Sequence, residues 1–65
     1  MDKETRAKIA KDATIRMFDN GEISIKNVEN IHSMYDRWAE SEPHDPNNAA
    51  RRDGLAEALD ILKSK

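Results

Sequence analysis

SIKNVENIHSMYDRWAES, residues 24–41, is the stretch that decides the fold. Its apolar and partly apolar side chains recur every three or four residues, so that they form one stripe on a helix. They are Val28, Ile31, His32, Tyr35, Trp38 and Ala39. Ser24 can accept a hydrogen bond from a free backbone N–H, and Ile23 and Val28 stand at the positions of a hydrophobic staple. We therefore predict an amphipathic helix over residues 25–41.

The segment before it carries a second amphipathic pattern. Between residues 3 and 19 the apolar side chains fall on one side at helical spacing, and charged ones fall opposite. The apolar set is Ala7, Ile9, Ala10, Ala13, Met17 and Phe18. Asn20-Gly21 follows, and glycine can take the left-handed backbone conformation that closes a helix without a Cβ clash. We predict a helix over residues 3–19.

A third helix follows a proline-containing connector. Pro43 lacks an N–H and pushes Glu42 away from helical dihedral angles, so the second helix cannot continue through it. Asp45 followed by Pro46 is typical of a helix N-terminus, because a carboxylate can cap the free N–H groups there and proline suits the first helical position. We predict the third helix over residues 46–63. Its core stripe is Leu55, Ala58, Leu59 and Leu62.

These patterns predict an all-α protein with a single domain, residues 1–65, in a compact three-helix arrangement. No alternation of apolar and polar residues indicates a strand, and the chain is too short for a second domain. We expect Tyr35 and Trp38 to be at least half buried. Their expected neighbours are Met17, Leu55 and Leu59. The alternative is that the two aromatic residues form an exposed binding surface.

Self-association into a homo-oligomer is expected, because packing alone must hold 65 residues that include no cysteine. Gly54 lowers helix propensity by roughly 1 kcal/mol, a cost that the close approach of another helix would offset. That helix is either one of the chain's own or part of a second copy, and both remain open. The residues assigned to self-association are Ile15, Ala50, Gly54 and Ile61.

Composition limits the classes of function. Charged residues make up 37% of the chain and apolar residues also 37%, so we expect no membrane span. Met1 leads directly into a charged stretch without the features of a secretory signal, and we expect a cytoplasmic protein. So small a helical unit offers little interior for catalysis, and we assign no catalytic residue and no cofactor. His32 and Asp36 are too few for a metal site, and we predict none.

A small DNA-binding regulator is one alternative. The helix, glycine turn and helix between Ala10 and Tyr35 are similar in outline to a helix-turn-helix, whose second helix enters the major groove. However, the exposed face of that helix holds more acidic than basic residues, which would repel phosphates. The basic ones are Lys26 and Arg37, and the acidic ones are Glu29, Asp36 and Glu40. A protein partner is therefore favoured over nucleic acid.

The stretch AARRDGLAEAL, residues 49–59, resembles the tails of small accessory proteins from phages and mobile elements. The resemblance implies a non-enzymatic protein that binds its target stoichiometrically, for example an inhibitor of a host defence complex in the manner of anti-CRISPR proteins. It implies no role for any single residue.

We expect the function to be binding to another protein through an acidic surface. Residues 20–45 hold six acidic residues against two basic ones, so this region would face a basic patch on the partner. The residues assigned to partner binding are Glu29, Asp36, Glu40 and Glu42. A further alternative is an oligomer that sequesters a nucleotide, with Arg51 and Arg52 as phosphate contacts.

Overall fold

The computed structural model describes residues 2–65, and this part of the chain forms three α-helices and no strand. Helix α1 spans Lys3–Asp19, α2 spans Ile25–Ser41 and α3 spans Pro46–Lys63. These bounds confirm the all-α class and all three predicted helices.

The end of α1 shows why the chain turns where it does. Gly21 has a positive φ of 77°, the left-handed conformation expected there. The Glu22 N–H donates to the Met17 carbonyl at 2.9 Å, and the Gly21 N–H donates to the Phe18 carbonyl at 3.0 Å. This pair of bonds is a Schellman motif, which satisfies carbonyl groups that would otherwise lack partners at the helix end.

The starts of α2 and α3 follow the predicted caps. The Asn27 N–H donates to Ser24 Oγ at 3.2 Å, and Asn27 Oδ1 accepts from the Ser24 N–H, so the two residues form a capping box. Asp45 caps α3 by accepting from the Asn47 N–H at 2.9 Å, and Pro46 occupies the first position of the helix.

Helix α3 is the centre of the fold, because α1 and α2 both pack against it far more than against each other. The ion pairs between helices show the helix directions. Lys3 pairs with Asp53 and Lys11 with Glu57, so α1 and α3 run parallel. Glu29 pairs with Lys63 and Asp36 with Arg52, so α2 runs antiparallel to α3.

The main core lies between α2 and α3. Val28, Leu55 and Leu59 form a buried cluster, and Val28 is fully buried. Four partly buried side chains pack against this cluster: Ile23, Ile25, Ile31 and Tyr35. The stripes predicted for the second and third helices therefore meet each other.

Helices α1 and α3 approach each other closely at Gly54. A Cβ at Gly54 would clash with the Ala7 carbonyl oxygen and would lie 2.9 Å from the Ala10 Cβ. The helix that approaches this glycine is thus one of the chain's own. Ala50 is also fully buried within the chain. Of the residues assigned to self-association, Ala50 and Gly54 are therefore already covered by packing within the chain.

The face that α1 turns toward α3 differs from the predicted stripe. Thr14 is the buried residue of α1, and its hydroxyl donates to the Ala10 carbonyl at 2.7 Å. Ile9 and Met17, both predicted to belong to the core stripe, are instead 53% and 41% exposed. The close approach at Gly54 explains this difference, because only small residues fit where the two helices touch. The large apolar side chains of α1 therefore lie beside the contact.

Candidate functional site

An open groove runs between α1 and the first half of α3. Its volume is about 480 Å³, within the range of sites that bind ligands or partner side chains. Its walls combine apolar and cationic side chains: Arg6, Ile9, Ala10, Ala13, Asn47 and Arg51. No acidic residue is among them. The groove exists because α1 meets α3 through alanines and a glycine, which leaves Ile9 at the edge of the contact.

Arg51 connects the groove to α2. Its Nη1 donates to the Tyr35 hydroxyl at 2.9 Å, and its guanidinium carbon lies 5.6 Å from the centre of the Tyr35 ring. A guanidinium over an aromatic face is attracted by the negative charge of the ring face. Tyr35 therefore holds Arg51 in place between the groove on one side and α2 on the other.

Trp38 extends this surface along α2. Its ring meets the Tyr35 ring in an edge-to-face arrangement, with the ring centres 5.1 Å apart and the planes at 82°. Trp38 keeps 45% of its surface exposed, so it is just over half buried, as predicted. Met17, one of its expected neighbours, is itself 41% exposed. Tyr35 packs on the core, whereas Trp38 lies at its edge and is available to a partner.

We call four exposed apolar residues of α1 and α2 the apolar flank: Ile9, Met17, Met34 and Trp38. Met17 lies one helical turn beyond Ala13, which lines the groove, and Met34 lies one turn before Trp38. Each of the four is 41% to 53% exposed. Exposed apolar side chains beside a groove, as Ile9 is here, are a feature of protein–protein interfaces.

The four acidic residues assigned to partner binding divide into two pairs. Glu29 accepts from Lys63 at 3.1 Å, and Asp36 lies 3.9 Å from Arg52, so α3 already partly neutralises both carboxylates. Glu40 and Glu42, at the end of α2, are exposed, and no ion pair to either is seen in residues 2–65. Of the four assigned residues, the two whose charges are not offset therefore lie at the C-terminal end of α2.

The two arginines considered as phosphate contacts have different surroundings. Arg52 donates from Nε to Asp53 at 3.1 Å and also pairs with Asp36, so carboxylates already engage it. Arg51 contacts Tyr35 instead. The structure therefore does not join the two guanidinium groups in one anion site.

The opposite side of the α1–α3 contact is charged and internally balanced. Lys3 lies 3.2 Å from Asp53, and Lys11 lies 3.8 Å from Glu57. Partial burial raises the pKa of Asp53, but hydrogen bonds from Lys3 and Arg52, together with their positive charges, outweigh this effect and lower the pKa overall. These charged residues contact each other across the two helices, and we assign them no role in binding the protein partner.

The described residues, 2–65, contain no group of three histidine, aspartate or glutamate side chains placed to hold a metal ion. None of their helices is both long enough and apolar enough to cross a membrane.

Comparisons of the chain with protein-family models, with curated proteins and with solved structures each gave no match.

Proposed function

We propose that this protein binds another protein stoichiometrically, without catalysing a reaction, and that the apolar flank and the groove make the contact. The observation that carries the proposal is the exposure of Ile9, which lines the groove together with Arg51, and of Trp38, which packs against the tyrosine that Arg51 contacts. Tryptophan and arginine contribute most to binding energy in protein interfaces, and methionine adapts to irregular surfaces. This arrangement suits an interface that buries apolar area beside a guanidinium group.

The acidic residues have a supporting role in this proposal. Glu40 and Glu42 would steer a partner that carries basic residues beside its apolar contact surface. Glu29 and Asp36 contribute less, because Lys63 and Arg52 offset their charges. The resemblance of residues 49–59 to phage accessory proteins adds that the partner is a component of a host defence complex, and this part rests on the resemblance alone.

Two charge-introducing variants and one matched control test the proposal. Ile9→Glu and Trp38→Glu place a carboxylate on the apolar flank, and Ile61→Glu makes the same change at another exposed apolar residue, 41% exposed. All three should keep the helical circular dichroism spectrum, because the replaced side chains are about half exposed.

The immobilised proteins are incubated with a lysate of the host, and the number of partner molecules per copy of the protein is measured. We expect wild-type protein and Ile61→Glu to retain one partner at the same ratio per copy, even where Ile61→Glu changes the number of copies, and Ile9→Glu and Trp38→Glu to lose it. Retention of that partner by both flank variants would contradict the proposed surface. Sequence-specific binding of wild-type protein to duplex DNA at physiological salt would contradict the protein-binding function itself.

A further inference from the structure

We propose that the groove receives an amphipathic helix of the partner and that a carboxylate on this helix pairs with Arg51. The inference rests on the proposed protein-binding function and specifies the chemistry of the partner. Three observations support it: the walls of the groove are helical, they carry positive charge, and Arg51 contacts Tyr35 rather than a carboxylate.

The walls favour a helix over an extended segment. Both walls are helical, so their backbone N–H and C=O groups are already bonded within α1 and α3. An extended chain pressed into the groove would leave its own backbone groups without partners, which is unfavourable. A helix satisfies its backbone internally and can place an apolar row against Ile9, Ala10 and Ala13.

The charge of the groove favours an acidic residue on that helix. Arg6 and Arg51 line the groove, and no acidic side chain does. Arg52 and Lys63 of α3 pair with carboxylates of the chain, whereas Arg51 has no carboxylate partner among residues 2–65. Covering Arg51 with an apolar surface would strip water from an unpaired charge, which is costly. An occupant that supplies a carboxylate avoids this cost.

Tyr35 prepares Arg51 for such a partner. Its hydroxyl takes one of the five guanidinium N–H donors, and its ring lies against the guanidinium group. The remaining donors can form a two-point contact with a carboxylate. Because Tyr35 already restricts the side chain, less conformational entropy is lost when the carboxylate binds.

A displayed library of helical peptides tests the inference. Apolar residues are fixed at i, i+4 and i+7 spacing, all other positions are randomised, and peptides are selected on wild-type protein. We expect the enriched peptides to share an aspartate or glutamate at one fixed position relative to the apolar row. Enriched peptides without a shared acidic position would overturn the inference while leaving the proposed function intact. Failure to enrich any helical peptide would count against both.

Variants of Arg51 locate the contact. Arg51→Met keeps most of the apolar stem and should weaken a selected peptide by about tenfold or more, as expected for the loss of a charged hydrogen bond. Arg51→Lys keeps the charge without the planar fork and should weaken it less. Arg37→Met is the matched control, because Arg37 is exposed on α2 and does not line the groove. Equal effects of Arg51→Met and Arg37→Met would overturn the inference.

Two further experiments test whether the groove instead binds a second copy of the chain or a free anion. Sedimentation equilibrium of wild-type protein and Ile9→Glu would reveal a dimer formed through the groove, and such a dimer would mean that a second copy is the occupant. Titration with inorganic phosphate, followed by NMR of the Arg51 side chain, would reveal a simple anion site. Either result would overturn the inference, whereas a groove that is not a dimer contact and does not bind phosphate supports it.

Discussion

Gly54 of α3 lies so close to Ala7 of α1 that a Cβ on the glycine would overlap the Ala7 carbonyl oxygen. The two parallel helices can approach this closely because the side chains at their contact are small. The same contact displaces the larger apolar residues of α1 to its sides, where Ile9 lines the groove. The glycine thus determines both the helix packing and the shape of the candidate binding surface.

Gly54→Ala should destabilise the protein, although alanine is the better helix former. The substitution gains roughly 1 kcal/mol of helix propensity. It also forces a Cβ against backbone, and overpacking of this kind costs about 1–3 kcal/mol. We expect the midpoint of urea unfolding to fall. Asp60→Ala, an exposed change on the same helix, should leave the midpoint nearly unchanged. A Gly54→Ala protein more stable than wild type would show that the helices can move apart at little cost.

The sequence predicts the helix ends well, because the signals for them are local. Ser24, Asp45 and Gly21 each act on backbone groups within a few residues, so their effect can be recognised without the tertiary fold. The α2 stripe is equally local, and its residues Val28 and Ala39 are indeed buried. These elements depend on spacing along the chain alone.

The candidate site is less accessible to sequence analysis, because it depends on contacts between helices. The bond between Arg51 and Tyr35 joins residues 16 positions apart, and no local pattern indicates it. The orientation of α1 depends on Gly54, 40 positions after the buried Thr14, which is why Ile9 and Met17 are misassigned to the core. Likewise, the sequence shows the charges of Glu29 and Asp36 but not the cations of α3 that offset them.

Asp53 should make the stability of wild-type protein depend on pH in a defined window, and Asp53→Asn should remove this dependence. Because the folded-state pKa of Asp53 lies below its ordinary value of 3.8, the carboxylate stabilises the fold at higher pH and loses this effect as pH falls through the folded-state pKa. The group is partly exposed, so we expect a difference of only about 0.5 kcal/mol at neutral pH. Chemical unfolding of both proteins should show the difference disappearing below pH 3.8. Asp60→Asn is the matched control, and the interpretation is wrong if it produces the same pH-dependent difference.

Self-association should involve Ile15 and Ile61, the two assigned residues that remain after Ala50 and Gly54 are found buried. Ile15 and Ile61 each lie one turn beyond a member of the Lys11–Glu57 ion pair, which places them on the same side of the parallel helices. Ile61 is 41% exposed and Ile15 is partly buried. We expect light scattering at micromolar concentrations to show a dimer and Ile61→Glu to shift it to the monomer. A wild-type protein that stays monomeric over this range would rule out the prediction.

Reversing Glu40 and Glu42 to lysine should slow association with the protein partner. Both side chains are exposed at the end of α2, near Trp38, whose carbonyl accepts a hydrogen bond from the Glu42 N–H at 2.8 Å. Exposed charges at the edge of an interface act mainly on the rate of encounter, and salt screens them. The association rate of wild-type protein should therefore fall as salt rises, and the double variant should bind more slowly with a weaker salt dependence.

Surface plasmon resonance with the captured partner separates this effect from a loss of contacts. The dissociation rate should change little, because neither glutamate belongs to the apolar flank, whereas Trp38→Glu should act mainly on dissociation. Asp60→Lys is the charge-matched control, since it reverses an exposed acidic residue on α3, and it should alter association less than the double variant.

If Glu40→Lys with Glu42→Lys speeds association instead, the partner presents negative charge to this end of α2. In that case the carboxylate expected opposite Arg51 would be part of a wider acidic surface on the partner, and the steering role assigned to the two glutamates would be wrong.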